Sequence, residues 1–293
     1  MPMTSADQLK DKIKNLANSL KIEPQILLRT YMMERFLERM ANSKYKGDFI
    51  LKGGLLLAAT FGQNQRKTMD IDVTLKNQRL EKDLFENIID DIVKIDISDH
   101  AILKLKDIKE IREESIYPRL RVSLEVELYK IKMPIKIDIT VGDKITPKEI
   151  SYQYPLLLEN KTINIPSYNI ETILAEKMES ILVRSDQNTR MKDFYDIYLL
   201  VNSGKIIDYK LFQIALRNTA ENRKTLALLE KNTRKYIKII ENSVDLKNLW
   251  QGYVYKNSYA ANITYEDTIK QIKVVCEKGR LSRLKYLTAE ISK

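Results

Sequence analysis

Residues 49–74 read Phe49-Ile-Leu-Lys-Gly-Gly-Leu-Leu-Leu-Ala-Ala-Thr-Phe-Gly-Gln-Asn-Gln-Arg-Lys-Thr-Met-Asp-Ile-Asp-Val-Thr74, and the prediction of the fold starts from this segment. Its apolar start predicts a short strand, a glycine pair follows, and an apolar run from about Leu55 to Phe61 predicts a helix. A second strand then carries two carboxylates. A glycine pair or an acidic pair alone is a weak signal, but the order strand, Gly-Gly, helix, acidic strand is much more specific.

The glycine pair predicts an anion-binding turn. Gly53 and Gly54 let the backbone turn tightly and approach a ligand closely. The helix that follows would direct its free N–H groups and the positive end of its dipole at the same point. Phosphate is the anion that such a turn most naturally binds, although a glycine pair by itself is most often just a turn.

Three carboxylates predict a metal site of oxygen ligands. Asp70 and Asp72 alternate with apolar residues, so in a strand both side chains lie on one face. Asp138 lies in a second alternating strand, over residues 135–141, which we expect beside the first. Carboxylates so placed suit two Mg²⁺ ions about 3.5–4 Å apart, as in-line phosphoryl or nucleotidyl transfer requires. The alternative is that these acids are solvated surface residues.

The composition limits the chemistry. With 293 residues, 44% hydrophobic and 31% charged, the chain is typical of a soluble globular protein. One histidine and one cysteine cannot form a Cys/His zinc site and hardly support a Ser-His nucleophile, so carboxylates must carry any metal chemistry. No apolar run approaches the ~20 residues of a membrane span, and no signal-peptide pattern opens the sequence. We therefore expect a cytoplasmic protein without a membrane partner.

The positive charge is concentrated in the C-terminal third. The net charge is +10, and Lys205 to Lys293 contains 18 Lys and Arg against 9 Asp and Glu. Seven of the 16 tyrosines lie in the same region. Cations interleaved with aromatic rings suit a polyanionic partner such as a single-stranded RNA end. Most of these tyrosines would nevertheless belong to the core or its rim.

The remaining pattern predicts a core followed by a helical region. Helices are expected over about 5–20, 24–41 and 81–93, and strands over 103–111, 119–129 and 135–141. The Lys132-Met-Pro segment is the expected break between the last two strands. Beyond residue 166 the spacing is helical. We expect two domains, 1–165 with two N-terminal helices and 166–293.

Two acids open a helix in the second region. Asp193 and Asp196 follow Arg190 and are three apart, so they share a helix face. Lys177 lies at the edge of an apolar helical seam just before them. Acids in a first helical turn also serve simply as partners of the helix dipole.

The motifs together resemble a known family. In order they are Lys52-Gly-Gly, Arg66-x-Thr-x-Asp-Ile-Asp, Lys-Ile-Asp138, Leu-Ala-Glu-Lys177 and Arg190-x-Lys-Asp-Phe-Tyr-Asp196. This set resembles the AbiEii/AbiGii family of nucleotidyltransferase-like toxins of type IV toxin–antitoxin and abortive-infection systems. The resemblance implies an α+β fold, with a mixed nucleotidyltransferase sheet, flanking helices and a helical C-terminal region. It also implies Mg²⁺, an NTP donor, a cognate antitoxin and, as in related toxins, the 3′ end of tRNA as acceptor.

The same resemblance implies roles for individual residues. Three carboxylates match its acidic set and are expected to bind metal and act in catalysis: Asp70, Asp72 and Asp138. The third would complete the set as a ligand or as a base. Lys177 would hold phosphate, and Asp193 would be the essential acid of the last motif.

The nucleotide-binding residues follow from the same motifs. The glycine pair would cradle the triphosphate, and Arg66 would contact phosphate or acceptor. The positions expected to bind nucleotide are Lys52, Gly53, Gly54, Arg66, Thr68, Lys177 and Asp196. Nucleotidyltransferases commonly have Gly-Ser at the cradle, whereas Gly54 replaces the serine here. Any hydroxyl contact to phosphate must therefore come from elsewhere.

Two other functions compete with RNA modification. The same site could transfer the nucleotide to a protein side chain or to a small molecule. A non-catalytic RNA-binding protein with structural acids would instead bind RNA in a salt-dependent manner, indifferent to Mg²⁺ and NTP. The basic, tyrosine-rich C-terminal third favours RNA over a small molecule.

Overall fold

The computed structural model describes residues 5–76, 82–111 and 119–281 of the chain. Two compact units are formed, one from residues up to Gly142 with Glu149–Ser167, the other from Asp143–Lys148 with residues from Tyr168 onward. The first unit contains a mixed sheet with helices, and the second is helical. The predicted α+β class, with a mixed sheet and a helical C-terminal region, is confirmed. None of the helices in the described ranges combines the length and apolar character that a membrane span requires.

The first unit is built around a seven-stranded sheet of order β3-β4-β5-β2-β1-β7-β6. The pairs β2/β5 and β1/β7 are parallel, and the others are antiparallel. Its elements are α1 (Ala6–Leu20), α2 (Pro24–Ala41), β1 (Phe49–Lys52), α3 (Gly53–Phe61), β2 (Ile71–Leu75), α4 (Lys82–Val93), β3 (Ile102–Ile111), β4 (Arg119–Leu128), β5 (Ile131–Val141), β6 (Ile150–Pro155) and β7 (Thr162–Ser167).

One face of the sheet is apolar at its centre. Leu51, Val73, Ile139 and Leu120 are directly opposite one another on four neighbouring strands and are at most 1% exposed. Strand residues alternate between faces, so their sequence neighbours lie on the opposite face of the same four strands. The prediction that the strand bearing Asp138 lies beside that of Asp72 is confirmed.

The hairpin between β4 and β5 differs from its prediction. The chain turns at Tyr129 and Lys130, whose φ angles are 49° and 69°, and not at the Lys132-Met-Pro segment. Pro134 lies inside β5, where β2 does not reach, because β2 pairs only with residues 137–141. On the side that faces away from β4, this part of β5 is therefore a sheet edge, and a sheet edge tolerates a residue that has no N–H. Strands β6 and β7 were not predicted, since their apolar alternation is short.

The second unit consists of packed helices. They are α5 (Ile170–Arg184), α6 (Met191–Asn202), α7 (Tyr209–Asn222), α8 (Leu226–Asn242), α9 (Val244–Lys256) and α10 (Tyr265–Lys278). Helix α5 contacts α6, α7 and α8, and α10 contacts α6. Side-chain caps begin several of them, as where Asn169 accepts a hydrogen bond from the Thr172 N–H at the start of α5.

A buried acid in α2 makes stability depend on pH. The Glu34 carboxyl accepts hydrogen bonds from the Leu157 N–H and the Tyr154 hydroxyl. Burial raises its pKa from 4.5 to about 8 and outweighs these bonds and the Arg35 charge, which lower it. The folded state therefore binds a proton that the unfolded state releases, and the free energy of unfolding falls as pH rises from about 4.5 through about 8.

We expect Glu34→Gln to flatten this dependence, because the neutral amide keeps an acceptor oxygen and does not ionise. Urea unfolding of the wild type and the variant between pH 5 and about 8.5 measures both slopes. Equal slopes for the two proteins would show that Glu34 does not hold the extra proton.

Candidate active site

A row of charged side chains crosses the centre of the sheet. Lys52 of β1 is opposite Asp72 of β2, Asp72 is opposite Asp138 of β5, and Asp138 is opposite Arg121 of β4. Directly opposite residues share a face of a sheet. Two carboxylates therefore lie side by side, with one cationic residue at each end of the row.

Arg121 holds Asp138 at one end of this row. Its Nε and Nη2 each donate to one carboxylate oxygen of Asp138 at 2.7 Å, which is the bidentate geometry of a strong pair. Sequence reasoning missed Arg121. The signal that could have found it is the two-residue turn at Tyr129 and Lys130, since counting back along both strands from this turn pairs Arg121 with Asp138.

Gly53 lies against the Asp72 carboxylate. A Cβ at Gly53 would lie 2.0 Å from Asp72 Oδ2, and the glycine has a φ of +68°. Helix α3 begins at Gly53, two residues earlier than predicted, so the glycine pair forms the first turn of the helix. The free N–H groups of a first helical turn favour anions. The Asp72 carboxylate thus lies beside the first turn of α3, where the free N–H groups can bind an anion.

Gly54 lies against Thr68 and Arg66. A Cβ at Gly54 would be 2.8 Å from Thr68 Oγ1 and 3.5 Å from Arg66 Nη2. Thr68 and Arg66 are both buried, and Arg66 donates a hydrogen bond to the Lys67 carbonyl. The Thr68 hydroxyl therefore occupies the space into which a serine at position 54 would extend. A hydroxyl is therefore present beside the glycine turn, but Thr68 carries it and not residue 54.

Asp70 lies just outside the strand in which it was predicted. Strand β2 begins at Ile71, and Asp70 is in a bend. The Thr68 hydroxyl donates to the Asp70 carbonyl at 3.2 Å. The reason is that β1 becomes helix α3 after Lys52, whose partner is Asp72, so β1 offers Asp70 no partner. The carboxylate stays two residues from Asp72 but is not held by the sheet.

Lys52 is buried at the other end of the charged row. Its Nζ donates to Thr140 Oγ1 at 2.8 Å, and this oxygen is 3.0 Å from Thr74 Oγ1. Lys52 and both threonines are less than 9% exposed. The ammonium group thus lies on the same face as the two carboxylates, on the strand that leads into the glycine turn.

The second unit brings three predicted residues together. Lys177 Nζ lies 3.0 Å from Asp193 Oδ1 and 2.6 Å from Asp196 Oδ2, and Arg190 Nε lies 3.0 Å from Asp193 Oδ2. Burial would raise the pKa of Asp193, but the charges of Lys177 and Arg190 outweigh it and lower the pKa to about 2. Asp193 is therefore a carboxylate at neutral pH.

The donor set fits a hard divalent cation only in part. Asp70 and Asp72 offer carboxylate oxygens beside the glycine turn, which is the ligand chemistry that Mg²⁺ prefers. Asp138 is adjacent but bound by Arg121. Within residues 5–76, 82–111 and 119–281, no three His, Cys, Asp or Glu side chains are grouped so as to hold a metal ion. The roles of Asp70, Asp72 and Asp138 as metal ligands therefore stay predictions.

Gly53 offers a direct test of this arrangement. We expect Gly53→Ala to lower the free energy of unfolding by about 1–3 kcal/mol and to lose most activity, because a Cβ must displace Asp72. Gly204 is the matched control, since its φ is +73° and nothing lies within 4 Å of its Cβ position. Gly204→Ala carries only the backbone cost of about 1–2 kcal/mol. Urea unfolding and nucleotide transfer are measured for both; full activity of Gly53→Ala would contradict the assignment of Asp72.

The glycine turn thus begins helix α3 and lies against the Asp72 carboxylate of the adjacent strand β2. The chain is a nucleotidyltransferase. It belongs to the family described as Nucleotidyl transferase AbiEii toxin, Type IV TA system, whose model matches residues 35–268. No curated protein matches the chain.

Several solved structures are similar at low identity. A protein from H. pylori described as a candidate nucleotidyltransferase is 16% identical, with a TM-score of 0.46, over 88% of this chain and 98% of that chain. JHP933 from Helicobacter pylori is 14% identical, with a TM-score of 0.44, over 92% and 99%. An antigenic nucleotidyltransferase-like protein from Paracoccidioides brasiliensis is 13% identical, with a TM-score of 0.37, over 68% and 90%.

Proposed function

We propose that this toxin nucleotidyltransferase transfers NMP from an NTP to the 3′ end of tRNA in the cytoplasm, in a Mg²⁺-dependent reaction that blocks translation and growth. A cognate antitoxin would restrain it. The observation that carries the proposal is the contact of Asp72 with Gly53, where a Cβ would be 2.0 Å from the carboxylate. A triphosphate bound by the first turn of α3 would lie next to an acid able to hold a cation.

In the proposed reaction the 3′ oxygen of the acceptor forms a bond to the α-phosphorus, and the bond from that phosphorus to the bridging oxygen of the β-phosphate breaks. Pyrophosphate leaves, and the hydroxyl proton passes to a carboxylate of the site. Mg²⁺, when held by Asp70 and Asp72, would neutralise phosphate charge and lower the pKa of the attacking hydroxyl. No covalent enzyme intermediate is needed, so positioning and charge neutralisation carry the catalysis.

The residues of the chain have distinct tasks in this proposal. The N–H groups of Gly53 and Gly54 bind the triphosphate, and the buried Thr68 hydroxyl is the candidate for the contact that a serine makes elsewhere. Arg121 positions Asp138 for its role as ligand or base. Lys52 and Arg66 supply further cationic groups beside the glycine turn.

The motifs that contain Lys177, Asp193 and Asp196 would also act on phosphate. Lys177 is the candidate phosphate-binding cation, and its contacts with Asp193 and Asp196 hold the ammonium group in one place. The concentration of positive charge in the C-terminal third supports a polyanionic acceptor over a small molecule. The choice of tRNA follows the family resemblance.

The test is to incubate the purified protein with total tRNA, Mg²⁺ and each α-³²P-labelled NTP in separate reactions. We expect label on tRNA with one nucleotide and none with an Asp72→Ala variant. Label on a protein band in place of tRNA would redirect the proposal to a protein acceptor. Absence of label on any acceptor, with NTP still bound, would remove tRNA as substrate, and absence of NTP binding would remove the proposed donor.

A further inference from the structure

A pocket of about 790 Å³ lies in the second unit, between the start of α6 and helix α9. Thr189 to Lys192 form one wall, and residues of α9 with Asn257 form the other. We propose that this pocket binds the single-stranded 3′ end of the RNA acceptor. The proposal rests on the proposed function, and it deepens it by assigning the acceptor to a defined surface. The volume is in the range of pockets that hold small organic ligands, so a terminal nucleotide fits.

The charge of the lining favours an anion. Arg190, Lys192 and Lys256 line the pocket, against a single acid, Asp245. Three cations around one cavity suit a sugar–phosphate backbone, which presents a phosphate at each nucleotide. Arg190 also pairs with Asp193, so this lining residue links the pocket wall to the Lys177 cluster of the same unit.

The pocket also offers an ordered aromatic ring. Tyr253 lines it, and its ring is stacked on Trp250 with centroids 5.4 Å apart and an interplanar angle of 29°. The Tyr253 hydroxyl is 2.8 Å from that of Tyr259. The Tyr253 ring is therefore held at the pocket wall by two further aromatic residues. Rings held in this way are the platforms on which unpaired bases stack.

Gly252 leaves the α9 wall of the pocket open. It lies inside α9 and lines the pocket, and nothing lies within 4 Å of the position of its Cβ. A glycine inside a helix costs roughly 1 kcal/mol relative to alanine. Gly252 is exposed, so the backbone of α9 is uncovered at this point of the pocket wall and a ligand can approach it closely.

The favoured occupant is the RNA end, not the donor NTP. The triphosphate is assigned to the glycine turn of the first unit, whose helix N-terminus and acids suit a metal-bound triphosphate. The pocket instead combines cations, an aromatic wall and the side-chain amide of Asn248, which can contact a base edge. Its α9 wall also lies in the part of the chain that carries most of the net positive charge.

Filling the pocket at Gly252 tests this assignment. Gly252→Met adds a long side chain from a good helix former, so we expect the fold to be at least as stable as the wild type. The apparent KM for tRNA should rise at least about tenfold, a loss of about 1.4 kcal/mol, with the KM for NTP unchanged. Gly252→Ala should stay near the wild type. Gly47→Met is the matched control, because Gly47 is exposed and nothing lies within 4 Å of its Cβ position.

A binding measurement separates this proposal from the proposed function. Fluorescence anisotropy with a labelled single-stranded RNA oligonucleotide, in the absence of NTP, should show binding by the wild type and loss in Gly252→Met. If the wild type binds this RNA and the variant does not, the pocket assignment stands even when no transfer to tRNA occurs. Equal RNA binding by both proteins, no binding by the wild type, or a raised KM for NTP alone would each overturn the assignment.

Discussion

Replacing Asp72 with alanine is expected to lower nucleotide transfer about 10²–10³-fold or more while the fold is retained. Asp72 is directly opposite Asp138, and its carboxylate lies against the first turn of α3. Asp72 therefore lies next to both the glycine turn and strand β5. Without it the chain would lose one of the two carboxylates proposed to hold Mg²⁺. The change removes a partly buried polar group near the start of β2, so the hydrophobic core is not opened.

The measurement is kcat for transfer with thermal unfolding of the same preparations. Asp72→Asn keeps the shape and removes the charge, and it should lose activity to a similar degree. Asp107→Ala is a control in the same sheet, on edge strand β3, where the side chain pairs with Lys109. Binding of Mn²⁺, followed by its electron paramagnetic resonance signal, reports on the cation independently of activity. Full activity in Asp72→Ala would remove this residue from the catalytic assignment.

Replacing Lys177 with methionine is expected to lower the free energy of unfolding by about 3–5 kcal/mol. Lys177 contacts two acids whose side chains are 3% and 0% exposed, Asp193 and Asp196 respectively. Methionine fills a similar volume but leaves these acids buried without the cation between them. Arg190 still faces Asp193, so the larger part of the loss should come from Asp196.

Urea unfolding at pH 7 measures this loss, and a second substitution tests its origin. Lys177→Met combined with Asp196→Asn should recover part of the stability, because one buried charge is then removed. Lys247→Met is the control, since Lys247 pairs with Glu266 on the surface and such a pair contributes at most about 1 kcal/mol. Equal losses for Lys177→Met and Lys247→Met would show that the buried cluster is not a stabilising unit.

The same cluster determines how stability responds to acid. The pKa of Asp193 is lowered from 3.8 to about 2 in the folded protein. Its contribution to stability is therefore fully present above about pH 3.8 and is lost as the pH falls toward 2. Glu34 has the opposite sign, so the two acids affect opposite ends of the pH range.

Local patterns were sufficient for most of the elements that form the site. Strict alternation from Leu120 to Leu128 identified β4, and the spacing of apolar residues identified α5. The lateral pairing of the strands that carry Asp72 and Asp138 was also predicted and is confirmed. These features follow from side-chain period and glycine placement, which act over a few residues and can be read without the fold.

Sequence patterns alone predicted the glycine turn, the acidic strand and the basic C-terminal third, and the family resemblance of the motifs implied the α+β class. The packed structure was needed to show that Arg121 holds Asp138, that Asp70 lies outside β2, and that Thr68 fills the space beside Gly54. Strand register and the close approach of distant segments depend on contacts far apart in the chain. Apart from the hairpin turn that pairs Arg121 with Asp138, no local pattern reports such contacts, so these neighbours became visible only in the folded structure.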